Sequence, residues 1–461
     1  MKRLAPSCLI ILLLVIPALA AGRSERPSLE QEVDAYLKPL IDADLISGSI
    51  LIAREGEIEL AKGYGPANRE HGVPCTPDTA YRLASMSKTF TAMAVMILQE
   101  REALSVEDTL DQYIPDYPEG DRITLHHLLT HTSGVVNYSA LPDHYRVWTM
   151  PHTIEEVIAR FKNEPLRFKP GAKFEYSNSG YVLLTYVIEK ASGTSYESFL
   201  KEAIFEPLGM RHTGLDSHTE IIPNRATGHY NFGDGIVQAQ YLNTGYTSGA
   251  GGLYSTVGDL YKWDRALYTD TLVSEKTLKT IFTPRLQTYG YGWFIREEFG
   301  RRLIEHRGGI NGFLTMIQRF VDDDVLVVTL FNYVSTFGRE VNRGLASIAL
   351  GLPHEPVLIP EGVDVPERIL RSLAGRYEIM GSALEISVED GRLWVTDSEM
   401  EKSEAIPQND TTYFLPESNA LLHFQLSDHG NVQRMIVQQS ERMIPCPPMK
   451  APQEEGSAAG G

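Results

Sequence analysis

Positive charge is the first thing this chain lacks. Lys and Arg total 42 against 60 Asp and Glu, a formal net charge of −18, which excludes a protein built around a basic surface for nucleic acid. Long apolar runs are missing too. Beyond the first twenty residues no stretch is long and apolar enough to cross a bilayer. No Gly-rich phosphate loop or dinucleotide fingerprint is present, so no cofactor is implied. No Gly-x-Ser-x-Gly elbow offers a nucleophile, and internal repeats are absent. Cysteine is scarce, at Cys8, Cys75 and Cys446.

What is present bounds the answer. A chain of 461 residues, 43% of them hydrophobic, can bury a large core and is too long for one compact unit, which predicts two or three domains. Residues 1–20 read as a secretory signal. Lys2 and Arg3 precede an apolar run from Cys8 to Ala18, and Ala18-Leu19-Ala20 is a small-residue cleavage site. The expectation is export to a periplasm or the medium, with no stable membrane span after signal removal. Cys75 and Cys446 then meet an oxidising compartment, where a disulfide and two separate buried thiols are both open.

The tetrad Ser85-Met86-Ser87-Lys88 opens a run from Thr89 to Leu98 that reads as a buried helix. Serine and lysine three apart share one helix face. The hydroxyl is a weak nucleophile until its proton is taken. A lysine takes it only if burial or positive neighbours lower its pKa. The pairing suggests acyl transfer by an activated serine. Tyr176-Ser177-Asn178 follows, ahead of a helical run from Ser179 to Lys190, and then His306-Arg307-Gly308-Gly309 between strand-like segments. Supporting stretches are Leu128 to Gly134, Glu206 to Met210 and Gly251 to Thr256. On these motifs, in this order, about residues 30–350 resemble the serine β-lactamase and penicillin-binding protein superfamily, most of all its class C-like branch of esterases and D-stereospecific peptidases.

The resemblance implies roles. Ser85 would be acylated, its own backbone N–H at a helix start helping to stabilise an oxyanion. Lys88 and Tyr176 would share the acid–base work. Asn178 would bond the lysine and the substrate amide, and Gly309 would supply the second oxyanion N–H. Gly308 and Gly309 let the backbone approach the substrate closely. His306-Arg307-Gly308 stands where typical β-lactamases carry Lys-Thr-Gly, whose lysine and threonine help bind a substrate carboxylate. Histidine is often neutral at pH 7, which favours an esterase or peptidase over an efficient β-lactamase. The implied partner is a small-molecule or peptide substrate. The alternatives are a β-lactamase and a non-catalytic member that binds cell-wall peptide or protein. Oligomeric state is left open.

The pattern predicts an α/β fold, in which an antiparallel sheet drawn from both ends of residues 28–352 is flanked by helices and the middle forms an all-α lobe. Helices are expected at 28–45, 124–130, 153–163, 178–191, 195–203, 256–268 and 338–350. Strands are expected at 49–54, 57–64, 289–297, 301–306, 312–320 and 325–331, with a break at Gly308-Gly309. Proline-rich residues 353–366 read as a linker, 367–447 as a small β module, and 448–461 as a disordered tail. His127 and His131, i and i+4 on a predicted helix beside His126, have a spacing that can bind zinc, but no His-Glu-x-x-His pattern or third ligand accompanies them. Asp322-Asp323-Asp324 lacks the glycine of a calcium loop and reads as a hairpin turn. The expected metal content is none.

Overall fold

The computed structural model describes residues 27–449 except 232–234, 334–337, 358, 360, 380–381, 397–401, 416–419, 428–429 and 440–441. The expected secretory signal lies outside the described residues.

Six antiparallel strands form the main sheet: β1 (Gly48–Arg54), β2 (Glu57–Tyr64), β3 (Phe294–Glu298), β4 (Arg301–Ile310), β5 (Phe313–Phe320) and β6 (Val325–Phe331), in the order β3-β4-β5-β6-β1-β2. The two ends of the unit meet at β1 and β6, where Gly48 pairs with Phe331 and Arg54 with Val325. Side chains alternate across a strand, so β1 feeds two cores. Ile50 and Ile52 pack with Val327 beneath α1 (Leu29–Asp42) and a helix at Gly338–Ala349. Leu51 and Ala53 face the opposite core, with α2 (Ser87–Glu100).

Helix α2 is buried on every side from Ser87 to Leu98, which is why its sequence shows no polar stripe. It is enclosed by the helical lobe, whose members include α3 (Leu125–Leu129) and α4 (Asn178–Ser192), and by α5 (Val257–Ala266), which packs on β1 and β6. Thr256 caps α5, its hydroxyl accepting from Asp259 N at 3.2 Å.

Several expectations need correction. Strand β4 does not break at Gly308-Gly309; it continues to Ile310 and turns at Asn311-Gly312. Glycine there serves proximity, since a Cβ on Gly308 would lie 2.1 Å from Leu83 O. The strand expected from 289 starts only at Phe294, because Gly290 and Gly292 (φ +78°) fold the preceding backbone into a turn. The helix at 153–163 is shorter, Ile154–Ala159, and that at 195–203 becomes Tyr196–Leu200 followed by a π-turn, Lys201–Phe205. Helices that were not expected include α6 (Glu275–Ile281), capped by Ser274, and, beyond α7 (Gly338–Ala349), α8 (Glu367–Leu373) after Pro366.

The C-terminal residues form an eight-stranded meander, β7 (Gly375–Ile379), β8 (Ser382–Glu389), β9 (Arg392–Thr396), β10 (Lys402–Asn409), β11 (Thr412–Leu415), β12 (Ala420–Leu426), β13 (Val432–Gln439) and β14 (Arg442–Cys446). It closes toward a barrel: Glu378 N donates to Pro447 O at 3.0 Å and Met449 N to Arg376 O at 2.7 Å. Pro448 and Met449 thus pair with β7, which corrects the start expected for the tail. The interior holds Tyr413, Leu422, Phe424 and Met435 together with Leu370 and Leu373 of α8. Phe414 points the other way, 4% exposed, into the core beneath α1 and α7. Cys75 and Cys446 are both free and buried, in different cores.

Candidate active site

Ser85 sits in a 3-10 turn, Ala84–Met86, that feeds α2. Ala84 has φ +50°, a left-handed conformation costing on the order of 1 kcal/mol for an L-residue. Three bonds hold the turn in place. Leu83 N donates to Leu253 O at 2.8 Å, Leu253 N to Ser87 Oγ at 3.1 Å, and Thr315 Oγ1 to Leu83 O at 2.8 Å. Ser87 is therefore a structural anchor. Pairing between β3 and β4 ends at Phe294 and Glu305, so residues 306–310 of β4 run beside the Ser85 turn with strand β5 on one side only.

Lys88 is the second residue of α2, three residues beyond Ser85, and is 0% exposed. Its Nζ donates to Ser85 Oγ at 3.1 Å, Asn178 Oδ1 at 2.8 Å and Ala250 O at 2.6 Å. Burial drives its pKa well below the usual lysine range. The two oxygens of Asn178 and Ala250 can only accept. A neutral amine would therefore spend both N–H groups on them and leave its lone pair facing the Ser85 hydroxyl.

Tyr176 is buried beside Lys88, and burial raises its pKa, against smaller lowering effects from Ser85 and from the Arg307 charge, so the resting group is a phenol. Lys88 Nζ lies 4.9 Å from the Tyr176 ring centroid. Asn178 is the first residue of α4, with Ser177 in the cap position, and its amide donates to Ser139 Oγ at 3.2 Å.

His306 is 1% exposed. Its Nδ1–H donates to Arg307 O at 2.7 Å, which leaves Nε2 to accept from Tyr289 OH at 3.2 Å. Burial, and then the positive charge of Lys88, push its pKa down to about 3, so the ring is neutral. Both nitrogens are occupied within the protein, and the ring offers no cation to a substrate carboxylate. Arg307, next along the strand, is exposed.

A cavity of about 300 Å³ opens at Ser85, and of the expected site residues only Ser85, Asn178 and Gly309 line it. Lys88, Tyr176, His306, Arg307 and Gly308 stand outside its wall.

Sequence reasoning missed two contributors. His131 packs its ring 4.2 Å from that of Tyr176 and accepts from Ser177 N at 3.2 Å. Its location within the Leu128–Gly134 stretch was the available signal. Ala250 O, the third partner of Lys88, directly precedes the Gly251–Thr256 stretch. The zinc alternative finds no geometry. Helix α3 ends at Leu129, and His131, with φ +56°, is not on it. His126 Nδ1 contacts Tyr291 OH at 2.7 Å, and His127 Nδ1 accepts from Thr124 N at 3.2 Å.

Comparison with known proteins gives the family. The family model described as Beta-lactamase matches residues 29–350, and one described as a domain of unknown function matches residues 360–446. A penicillin-binding protein of Bacillus subtilis (strain 168) is 30% identical, over 83% of this chain and 90% of its own length. A D-aminopeptidase of Gluconobacter oxydans (strain 621H) is 26% identical over 67% of this chain, which spans 60% of that protein. The octameric penicillin-binding protein homologue from Pyrococcus abyssi superposes with a TM-score of 0.64 at 26% identity, covering 90% of this chain and 99% of the other. With a family match across the whole sheet-and-lobe unit and a relative alike over most of both chains, this protein belongs to the β-lactamase family, within the superfamily of serine β-lactamases and penicillin-binding proteins.

Proposed function

We propose that this protein is an exported serine hydrolase that forms a covalent acyl-enzyme on Ser85 and acts on esters or amides, D-amino-acid peptides among them. The observation that carries the reading is the Lys88 amine, desolvated and 3.1 Å from Ser85 Oγ with its other two bonds to obligate acceptors.

Neutral Lys88 takes the Ser85 proton as Oγ attacks the carbonyl carbon. The oxyanion is stabilised by the backbone N–H groups of Ser85 and Gly309. Tyr176, a phenol at rest, gives its proton to the departing atom. The Lys88 ammonium and Arg307 stabilise the transient phenolate, and the ammonium proton then restores the phenol. Water repeats the sequence to release the acid. Asn178 positions Lys88 and faces the substrate from the cavity wall, while His306 supports the site from within the protein through Tyr289 and Arg307 O. Likeness to the D-aminopeptidase of Gluconobacter oxydans supports the D-peptide reading.

In this proposal residues 28–352 are the hydrolase unit, 353–366 the linker and 367–447 an accessory module. No residue of that module is among those lining the cavity. Export rests on residues 1–20; among the described residues no helix is long and apolar enough to cross a membrane.

A fluorescent fluorophosphonate should label the protein at Ser85, and Ser85→Ala should abolish labelling. Persistent labelling of the variant at another residue would overturn the proposal.

A further inference from the structure

The cavity at Ser85 is built from uncharged groups. Tyr138, His144, Trp148, Leu242 and Ile310 line it, and Asn311 adds a neutral amide. Among the described residues, no Asp, Glu, Lys or Arg lines it. His144 does not supply the missing charge. Its Nδ1 lies 3.1 Å from Tyr246 OH and its ring packs 5.4 Å from Trp148, and burial, followed by the Arg160 charge, lowers its pKa below the ordinary histidine value. Arg160 itself is paired with Asp143 at 2.5 Å and stands behind the Tyr246 ring, 5.8 Å from its centroid.

Chemistry decides which part of a substrate enters. The leaving atom must meet its proton donor, and Tyr176 and the cationic Arg307 are absent from the cavity lining. The leaving group therefore lies on the Tyr176 side of Ser85, and the acyl part lies in the cavity. A charge placed there would lose water and meet no counter-ion, which is costly unless paired.

We infer that the acyl group this enzyme accepts is uncharged and of modest size, part apolar and part aromatic in its contacts, while charge is confined to the leaving group. The cavity of about 300 Å³ is at the small end of the range for small-molecule pockets, roughly 300–1,000 Å³. The inference rests on the serine-hydrolase reading above and goes beyond it by assigning a substrate class to one side of the site.

The test compares p-nitrophenyl esters that share a leaving group: pentanoate, hemisuccinate and 4-aminobutyrate. Wild-type kcat/KM should be at least about 30-fold higher for pentanoate than for either charged ester, about 2 kcal/mol. Trp148→Arg should raise the hemisuccinate-to-pentanoate ratio by about tenfold, and Ile310→Arg, also in the lining, gives a second reading if the first variant folds poorly. Ser85-dependent turnover with the hemisuccinate or the aminobutyrate matching pentanoate overturns the inference alone. No turnover of any ester, together with no fluorophosphonate labelling of Ser85, overturns the hydrolase reading and this inference with it.

Discussion

The sheet-and-lobe unit and the C-terminal barrel are held together differently. In the barrel every strand from β7 to β13 pairs with the next in sequence, and one end-to-end closure completes it. Its core is apolar, and its ion pairs, such as Arg392–Glu404 and Lys402–Glu389, lie on the outside. The main unit joins its own ends at β1 and β6 and buries a lysine whose partners are 90 and 162 residues away. Local pairing produces a module that can be stable without a costly group. Long-range convergence can hold an amine out of water beside a hydroxyl, and it bears the strain of Ala84 and the penalty of Lys88.

The widest separation between the two regions should come from Lys88→Met. Esterase kcat should fall by about 10⁴-fold or more, with the barrel unaffected. The same variant should flatten the pH dependence of stability. The unfolded chain binds a proton at Lys88 that the native chain does not, so native stability rises as pH climbs from the depressed native pKa toward 10.5. Melting curves of both proteins across pH, with kinetics on one ester, check this.

The converse change belongs to the barrel. Leu422→Ala should cost about 2–5 kcal/mol of stability and leave kcat/KM unchanged, as read by denaturant unfolding and ester turnover. A parallel loss of activity would show that the two regions are coupled, and Phe414, which enters the core beneath α1 and α7, would be the route.

A smaller effect is expected inside the site. His131→Phe keeps the ring contact with Tyr176 but removes the acceptor for Ser177 N. We expect kcat to fall about 10–100-fold with KM little changed. An unaltered kcat would remove His131 from the positioning of Tyr176.

His306 sharpens the contrast by pH. Its native pKa of about 3 lies below the unfolded value of 6.5. Between those limits the unfolded state binds the extra proton, so acidification destabilises the native state, with a slope approaching roughly 1.36 kcal/mol per pH unit. His306→Gln should reduce that slope. The smallest effect lies at the exposed Lys38–Asp42 pair, where Lys38→Ala should change stability by about 0.5 kcal/mol or less.

Much of the fold was legible in the residues. The apolar run in Ser49 to Arg54 and the strand-like Glu57 to Tyr64, joined at Glu55-Gly56, report a hairpin, and the unbroken apolar run after Lys88 reports a helix buried all round. The failures have physical causes. Gly308-Gly309 resembles a turn because glycine is permissive, whereas here it admits the Leu83 carbonyl against a continuing strand. Helix α8 follows a proline-rich segment, and its seven residues carry too little periodicity to stand out. His127 and His131 have metal-like spacing only if the helix continues, and the backbone turns left-handed at His131.

The amino-acid sequence by itself determined the order of the chemistry: a hydroxyl and an amine on one turn, a phenol before a second helix, a glycine pair beside them, and an acidic composition without a basic surface. Tertiary structure alone decided the lowering of the Lys88 pKa, the choice of Ala250 O as its third partner, and the burial of His306 between Tyr289 and Arg307 O. The reason is that a pKa and a hydrogen-bond direction depend on how much water is excluded and which dipoles lie within a few ångströms, and at this site those dipoles come from segments far apart along the chain.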